Sequence, residues 1–149
     1  MGGAEYMKSI KKYETIINEA LRSALEYDTP EGQINEFISF FGKHIGSDRI
    51  YIFEDDEEHH VTNNTYEWCT EGITPQIEHL QGVNMEVIDW WYDTFDEGKS
   101  VIISDVEELK GVHQVSYNML KYQNVRKVVV SPLRHKGQIK GFFGVDNPP

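Results

Sequence analysis

With 149 residues the chain fits one domain and one core, since a chain of this size buries roughly two-thirds of the surface it exposes when unfolded. A formal charge of −11 and a pI near 4.9 argue against a nucleic-acid footprint, which needs clustered Lys and Arg, and disfavour an anionic membrane surface for the same reason. The one cysteine, Cys69, excludes an internal disulfide framework and a multi-cysteine zinc site, no apolar run is long enough to span a bilayer, and the start lacks the features of a signal peptide, so a reducing cytoplasm is the expected compartment.

Residues 6–27 carry Tyr6, Ile10, Tyr13, Ile17, Ala20, Ala24 and Tyr27 at alternating spacings of four and three, with Ile16, Leu21 and Leu25 beside them. The pattern predicts a helix laid on the sheet, or the seam of a parallel two-helix coil, and residues 1–28 are assigned to this packing and signalling element. Thr29 is placed to cap a second helix with Pro30 at its first position; Ile34, Phe37, Ile38, Phe41 and Ile45 repeat at helical spacing and Gly46 ends it. Residues 49–54 alternate Ile50 and Ile52 against Tyr51 and Phe53, a strand apolar on both faces and therefore central. An acidic turn, 54–58, leads to a more polar strand over 61–68, expected nearer an edge.

Residues 72–83 read as a loop with one helical turn. Asn84 caps a helix to about residue 97 that carries Ile88, Trp91, Tyr92 and Phe95 on one side. A short strand at 100–103 follows, then a brief helix boxed by Asp105 and Glu108, then a helix over 112–123 with Val115, Met119 and Tyr122 on a common face. Residues 125–147 form a hairpin: two β-rich arms flank the tip 134–138, where Gly137 supplies a positive φ, and the apolar groups of both parities in the first arm predict burial on both sides. Gly141 and Gly144 leave the second arm bare where a backbone or a ligand can approach, as the floor of a pocket. Strands grouped at each end of a helical middle predict α+β with an antiparallel sheet.

The runs Leu120 to Arg126, Ser131-Pro132-Leu133, Gly137 and Gly141-Phe142-Phe143-Gly144-Val145-Asp146-Asn147 resemble the closing hairpin of GAF domains. Asn64-Thr65-Tyr66-Glu67-Trp68-Cys69, with Gly72-Ile73 and Pro75, resembles another run of the GAF subgroup that precedes diguanylate cyclase (GGDEF), phosphodiesterase or histidine-kinase modules in bacterial signalling proteins. The resemblance covers residues 29–149. It implies a GAF/PAS-like antiparallel sheet with the N-terminal helices on one face and a short-helix lid over a pocket on the other. GAF domains usually close with a helix after the Asp-Asn-Pro run, whereas this chain stops at Pro149, so the expectation is a fragment of a longer protein that lacks this helix and dimerises through its N-terminal one.

Several chemistries find little support. His59-His60 beside five acids reads as a solvated turn, because neighbours on a strand point oppositely and no helical i, i+4 ligand pair is present. Cys69 lies among Glu67 and Glu71 with no cation to favour its thiolate. One GAF family reduces free methionine sulfoxide with several cysteines, and a lone cysteine disfavours that activity. Bilin attachment also needs a cysteine, and the residues around Cys69 do not resemble phytochromes. The signature of cyclic-nucleotide GAF domains is absent, and Ser131 and His135 on one strand stand about 13 Å apart, too far for a proton relay.

What remains is an aromatic cleft: Trp68, Trp90, Trp91, Tyr92, Phe95 and Tyr117 as candidate lining, with Ser131 or Asn64 as a polar contact. The resemblance favours Trp68, Trp91 and Ser131. The expectation is a non-catalytic sensor, with no catalytic or metal-ligating residues, an unidentified small-molecule ligand, a homodimer, and an output domain on the same polypeptide. The alternatives are a dimerisation scaffold with a side-chain-filled pocket and, disfavoured, a redox enzyme using Cys69.

Overall fold

The structure is a computed structural model that describes residues 2–149. Among the described residues, four α-helices, α1 (Gly3–Ala24), α2 (Pro30–Ile45), α3 (Asp89–Asp96) and α4 (Gln114–Tyr122), accompany six strands: β1 (Arg49–Asp56), β2 (Val61–Cys69), β3 (Val83–Asn84), β4 (Val101–Ile103), β5 (Val128–His135) and β6 (Gln138–Asp146). The strands form one antiparallel sheet in the order β3-β2-β1-β6-β5-β4. The architecture is α+β, with α1 and α2 on one side and the segment between β2 and β5 lying over the other.

Alternation along β1 builds both cores at once. Ile50 faces α2 and packs with Ile38 and Val145, and Ile34, Phe37, Phe41, Trp68 and Phe143 fill in around them. Tyr51 and Phe53 face the other way and join Phe142, Val128 and Val130 of the sheet against Trp91 and Phe95 of the lid.

The α2 end signals act as read: Thr29 Oγ1 accepts from Gly32 N at 3.0 Å, and Gly46 closes the helix at φ 77°. The β5–β6 hairpin turns through Lys136 (φ 52°) and Gly137 (φ 79°), the two positive φ values that a tight hairpin turn requires.

Several expectations need correction. The first arm of the hairpin is not buried on both sides: Val128 and Val130 are buried, Val129 is half-buried and Leu133 is 36% exposed, because α1 and α2 stop short of β5. α1 packs mainly on α2 rather than on the sheet, burying Ile16, Ala20 and Ala24 and leaving Tyr6, Tyr13, Ile17, Leu21, Leu25 and Tyr27 exposed. The helix expected from Asn84 begins as a 3-10 turn, Met85–Ile88, and that expected after Asp105 is only a 3-10 turn, Val106–Leu109. α4 turns Ser116 and Leu120 inward and leaves Val115 and Tyr122 in solvent. Its rotation is set by Ser116, whose hydroxyl accepts from Trp90 Nε1 at 3.0 Å and donates to the Val87 carbonyl at 2.9 Å.

Candidate functional site

Between the sheet and the lid lies a small cavity, about 30 Å³ open to the centre of a water-sized sphere. Its floor is Arg49, Tyr51 and Phe53 of β1, Thr62, Asn64 and Glu67 of β2, and Phe142 of β6; Ile88, Trp91 and Leu120 are among the residues above. A second, more polar cleft of about 240 Å³ opens at the end of the sheet beside Asp48, Thr74 and Asn147. Arg49 and Gln123 line both, so they form the partition between them.

Arg49 organises the polar end. Its Nη1 donates to Asp146 Oδ2 at 2.6 Å, its Nη2 to the Thr74 carbonyl at 2.9 Å, and its Nε stands 3.5 Å from Glu67 Oε2. Glu67 in turn accepts from Gln76 N at 2.9 Å and from Ile77 N at 3.3 Å, which fixes the first turn of the lid. Tyr51 Oη donates to Asp146 Oδ1 at 3.1 Å. Its ring lies across β6 at Gly144, where any Cβ would overlap it. The bare surface expected at Gly144 is therefore filled by the protein's own tyrosine, and this keeps the cavity small.

Burial pushes the Asp146 carboxyl up to about 6, against the Arg49 guanidinium and the Tyr51 hydroxyl, which both hold it down. Burial also raises the Tyr51 phenol well above its ordinary value, with the Asp146 charge adding to it. The Cys69 thiol is raised by burial first and by Glu67 second, so the protonated, unreactive form is favoured. At the far end of the lid, Tyr92 Oη donates to Asp55 Oδ1 at 2.7 Å and Arg134 Nη2 donates to the Phe95 carbonyl at 2.6 Å. Among the described residues, two buried donors make no hydrogen bond, Trp91 Nε1 and Arg49 Nε, the latter having only the Glu67 carboxylate at 3.5 Å, and both residues line the cavity. Among the described residues, no group of three or more His, Cys, Asp or Glu side chains is placed to hold a metal ion, and no helix is long and apolar enough to cross a membrane.

Of the five candidate ligand contacts, the cavity brings together Trp91 and Asn64 only. Trp68 and Ser131 need correction. Trp68 packs under α2, where a Cβ at Gly42 would overlap its ring, and Ser131 pairs with Phe143 on that same side and shares a 2.7 Å hydrogen bond with Ser100 Oγ. The reason for Trp68 is a β-bulge. Ile52 pairs with Tyr66 but Phe53 pairs with Asn64, leaving Thr65 unpaired, so side chains before and after it change faces. Asn64 holds this bulge: oriented so that both ends find partners, its amide nitrogen donates to the carbonyls of Ile52 at 3.2 Å and Tyr66 at 2.8 Å. Tyr117 does not line the cavity; its hydroxyl donates to Glu107 Oε2 at 2.7 Å on the outer surface of the lid. Arg49, Tyr51, Glu67 and Asp146 were not among the candidates. The available signal was an arginine and an aspartate set in otherwise apolar strands, where charges seldom sit unpaired.

Solved structures share this arrangement. One is a far-red-absorbing dark state with bound biliverdin IXa (TM-score 0.71, 11% identity, covering 89% of this chain and 82% of that one). Another is the GAF domain of the cyanobacteriochrome TePixJ (TM-score 0.63, 14% identity, 84% and 76%). The fold is GAF-like. A free methionine-R-sulfoxide reductase from Neisseria meningitidis, solved with its substrate, has it too (TM-score 0.64, 12% identity, 91% and 72%). No protein-family model and no curated protein sequence matches the chain. In this GAF-like frame the cavity lies between the sheet and the lid, and the α1–α2 layer lies on the reverse side.

Proposed function

We propose that the chain is a non-catalytic, regulatory GAF sensor domain that binds a small molecule under its lid. The observation that carries this reading is the pair of buried donors that make no hydrogen bond, Trp91 Nε1 and Arg49 Nε, at one cavity. A buried donor left unmet costs about 1–3 kcal/mol, and a native fold keeps such a group where a ligand or water completes it. The raised Cys69 thiol supports the non-catalytic part of the reading. A tetrapyrrole such as the biliverdin of one structural neighbour does not suit a cavity of about 30 Å³, so the ligand is smaller or the lid opens to admit it.

In this reading the chain belongs to the bacterial signalling proteins whose GAF domains precede GGDEF, phosphodiesterase or histidine-kinase modules. It works in the cytoplasm, with residues 29–149 as the sensor and residues 1–28 as the signalling helix. A homodimer through α1 is supported by its exposed Tyr6, Tyr13, Ile17, Leu21 and Leu25, which continue into an apolar groove lined by Phe37, Ile52 and Phe143. The ligand must favour one helix arrangement over the other, since equal affinity for both shifts nothing. Thermal melting of the chain against a metabolite library tests this: a ligand-specific rise in Tm is expected.

The second reading is a dimerisation scaffold whose pocket is filled by its own side chains. The Tyr51 ring seated at Gly144 favours it. A concentration-dependent dimer with no ligand-induced rise in Tm would decide for the scaffold and against the sensor.

A further inference from the structure

The chemistry of the cavity narrows what it takes, on the assumption that the sensor reading holds. Its walls are aromatic and aliphatic, from Phe53, Ile88, Leu120 and Phe142. The groups that make no hydrogen bond there are both N–H donors, Trp91 Nε1 and Arg49 Nε, and the 3.5 Å that separates Arg49 Nε from Glu67 Oε2 leaves its hydrogen free for a better-placed acceptor. Its charges are already committed: the guanidinium lies 2.6 Å from Asp146 Oδ2 and 3.5 Å from Glu67 Oε2, and all three side chains are at most 4% exposed. An anion entering here would be desolvated next to the Glu67 carboxylate, and a cation would meet a guanidinium and two N–H donors. An uncharged acceptor meets neither penalty. The volume has room for roughly two or three water-sized centres, which sets the scale at a few heavy atoms.

We propose that the cavity binds a small uncharged molecule with one strong oxygen acceptor, of the amide or ketone class, whose oxygen takes the Trp91 and Arg49 N–H groups. Arg49 then links occupancy to the rest of the fold, because the same guanidinium holds the lid at Thr74 and the last residue of β6, Asp146.

The test is a titration of the whole chain, followed through its indole and guanidinium N–H resonances, with acetamide and acetone as probes. Isobutene, which has the shape of acetone without the oxygen, is the apolar control; nitrate, acetate and methylammonium are the charged controls. Acetamide and acetone are expected to shift the Trp91 indole and Arg49 Nε–H signals saturably, while the Trp90 indole, already bonded to Ser116, stays in place. Trp91→Phe keeps a ring and removes the donor, and should weaken binding about tenfold, the loss of one buried hydrogen bond. The acetone and isobutene comparison needs no variant, so the outcome does not depend on whether Trp91→Phe folds. Isobutene binding as tightly as acetone, a charged probe binding more tightly than acetamide, or no saturable shift with either neutral probe would overturn the proposal, the last leaving the donors to water. A charged or acceptor-less ligand found by thermal melting would overturn this ligand class and keep the sensor reading; no ligand in either experiment removes both.

Discussion

The two faces of the sheet are built from the same strands and similar rings, yet they are held differently. Under α2, the buried members are Ile38, Ile50 and Val145, and Trp68 fits against the hydrogen that stands for a side chain at Gly42. Under the lid, aromatic packing surrounds a charged cluster, Arg49, Glu67 and Asp146, tied to Tyr51 and to the lid backbone. The first face depends on shape, since burial is non-directional and any well-fitting apolar group serves. The second depends on complete pairing, because a buried charge that loses its partner keeps the cost of having left water. A face of the second kind is the one able to register a ligand, since a new hydrogen bond there changes which groups are met.

The largest expected difference comes from Arg49→Met, which leaves Asp146 and Glu67 buried without their cation and should cost about 3–5 kcal/mol in chemical denaturation. Adding Asp146→Leu to it should recover part of that loss, whereas two independent sites would add. Glycine replacements compare the faces directly. Gly42→Ala and Gly144→Ala each force a ring aside and should each cost about 1–3 kcal/mol by overpacking. Only Gly144→Ala should also move the Tyr51 hydroxyl off Asp146, visible as a lowered Tyr51 phenol pKa in an ultraviolet titration; an unchanged Tyr51 would remove the distinction between the faces.

The pH dependence is a smaller effect. Asp146 titrates near 3.8 when unfolded and near 6 when folded, so between those values the folded chain holds a proton that the unfolded chain has released. Stability from this group is therefore full at the acid end of the window and falls as pH rises towards 6, and it changes no further above that. Asp55, raised by burial, acts with the same sign. Asp146→Asn should flatten the dependence of the unfolding midpoint over pH 4–6 relative to the parent chain. The smallest effect belongs to Ser131→Ala. It removes one hydrogen bond to Ser100 away from the cavity, and should change stability by about 0.5 kcal/mol or less and leave acetamide binding unaltered.

The sequence by itself determined the main elements and their order, though not the two-residue strand Val83–Asn84 or the 3-10 turns Met85–Ile88 and Val106–Leu109. Helical spacing between Thr29 and Gly46, alternation through Ile50, Tyr51, Ile52 and Phe53, and the turn at Gly137 are local signals, because dihedral preference and periodic burial act over a few residues. Only the tertiary structure decided which face each side chain serves. The unpaired Thr65 puts Asn64 at the cavity and Trp68 behind the sheet although they are four residues apart, where strict alternation would have kept them together. α4 likewise shows Ser116 rather than Val115 to the core because Trp90 and Val87, far away in sequence, offer the hydroxyl its partners. The polar cluster is the clearest case: Arg49 and Asp146 lie 97 residues apart, and nothing in the neighbourhood of either names the other. Periodicity reports how much of a residue is buried; the partner of a buried charge is fixed by strand register, which exists only once the sheet has formed.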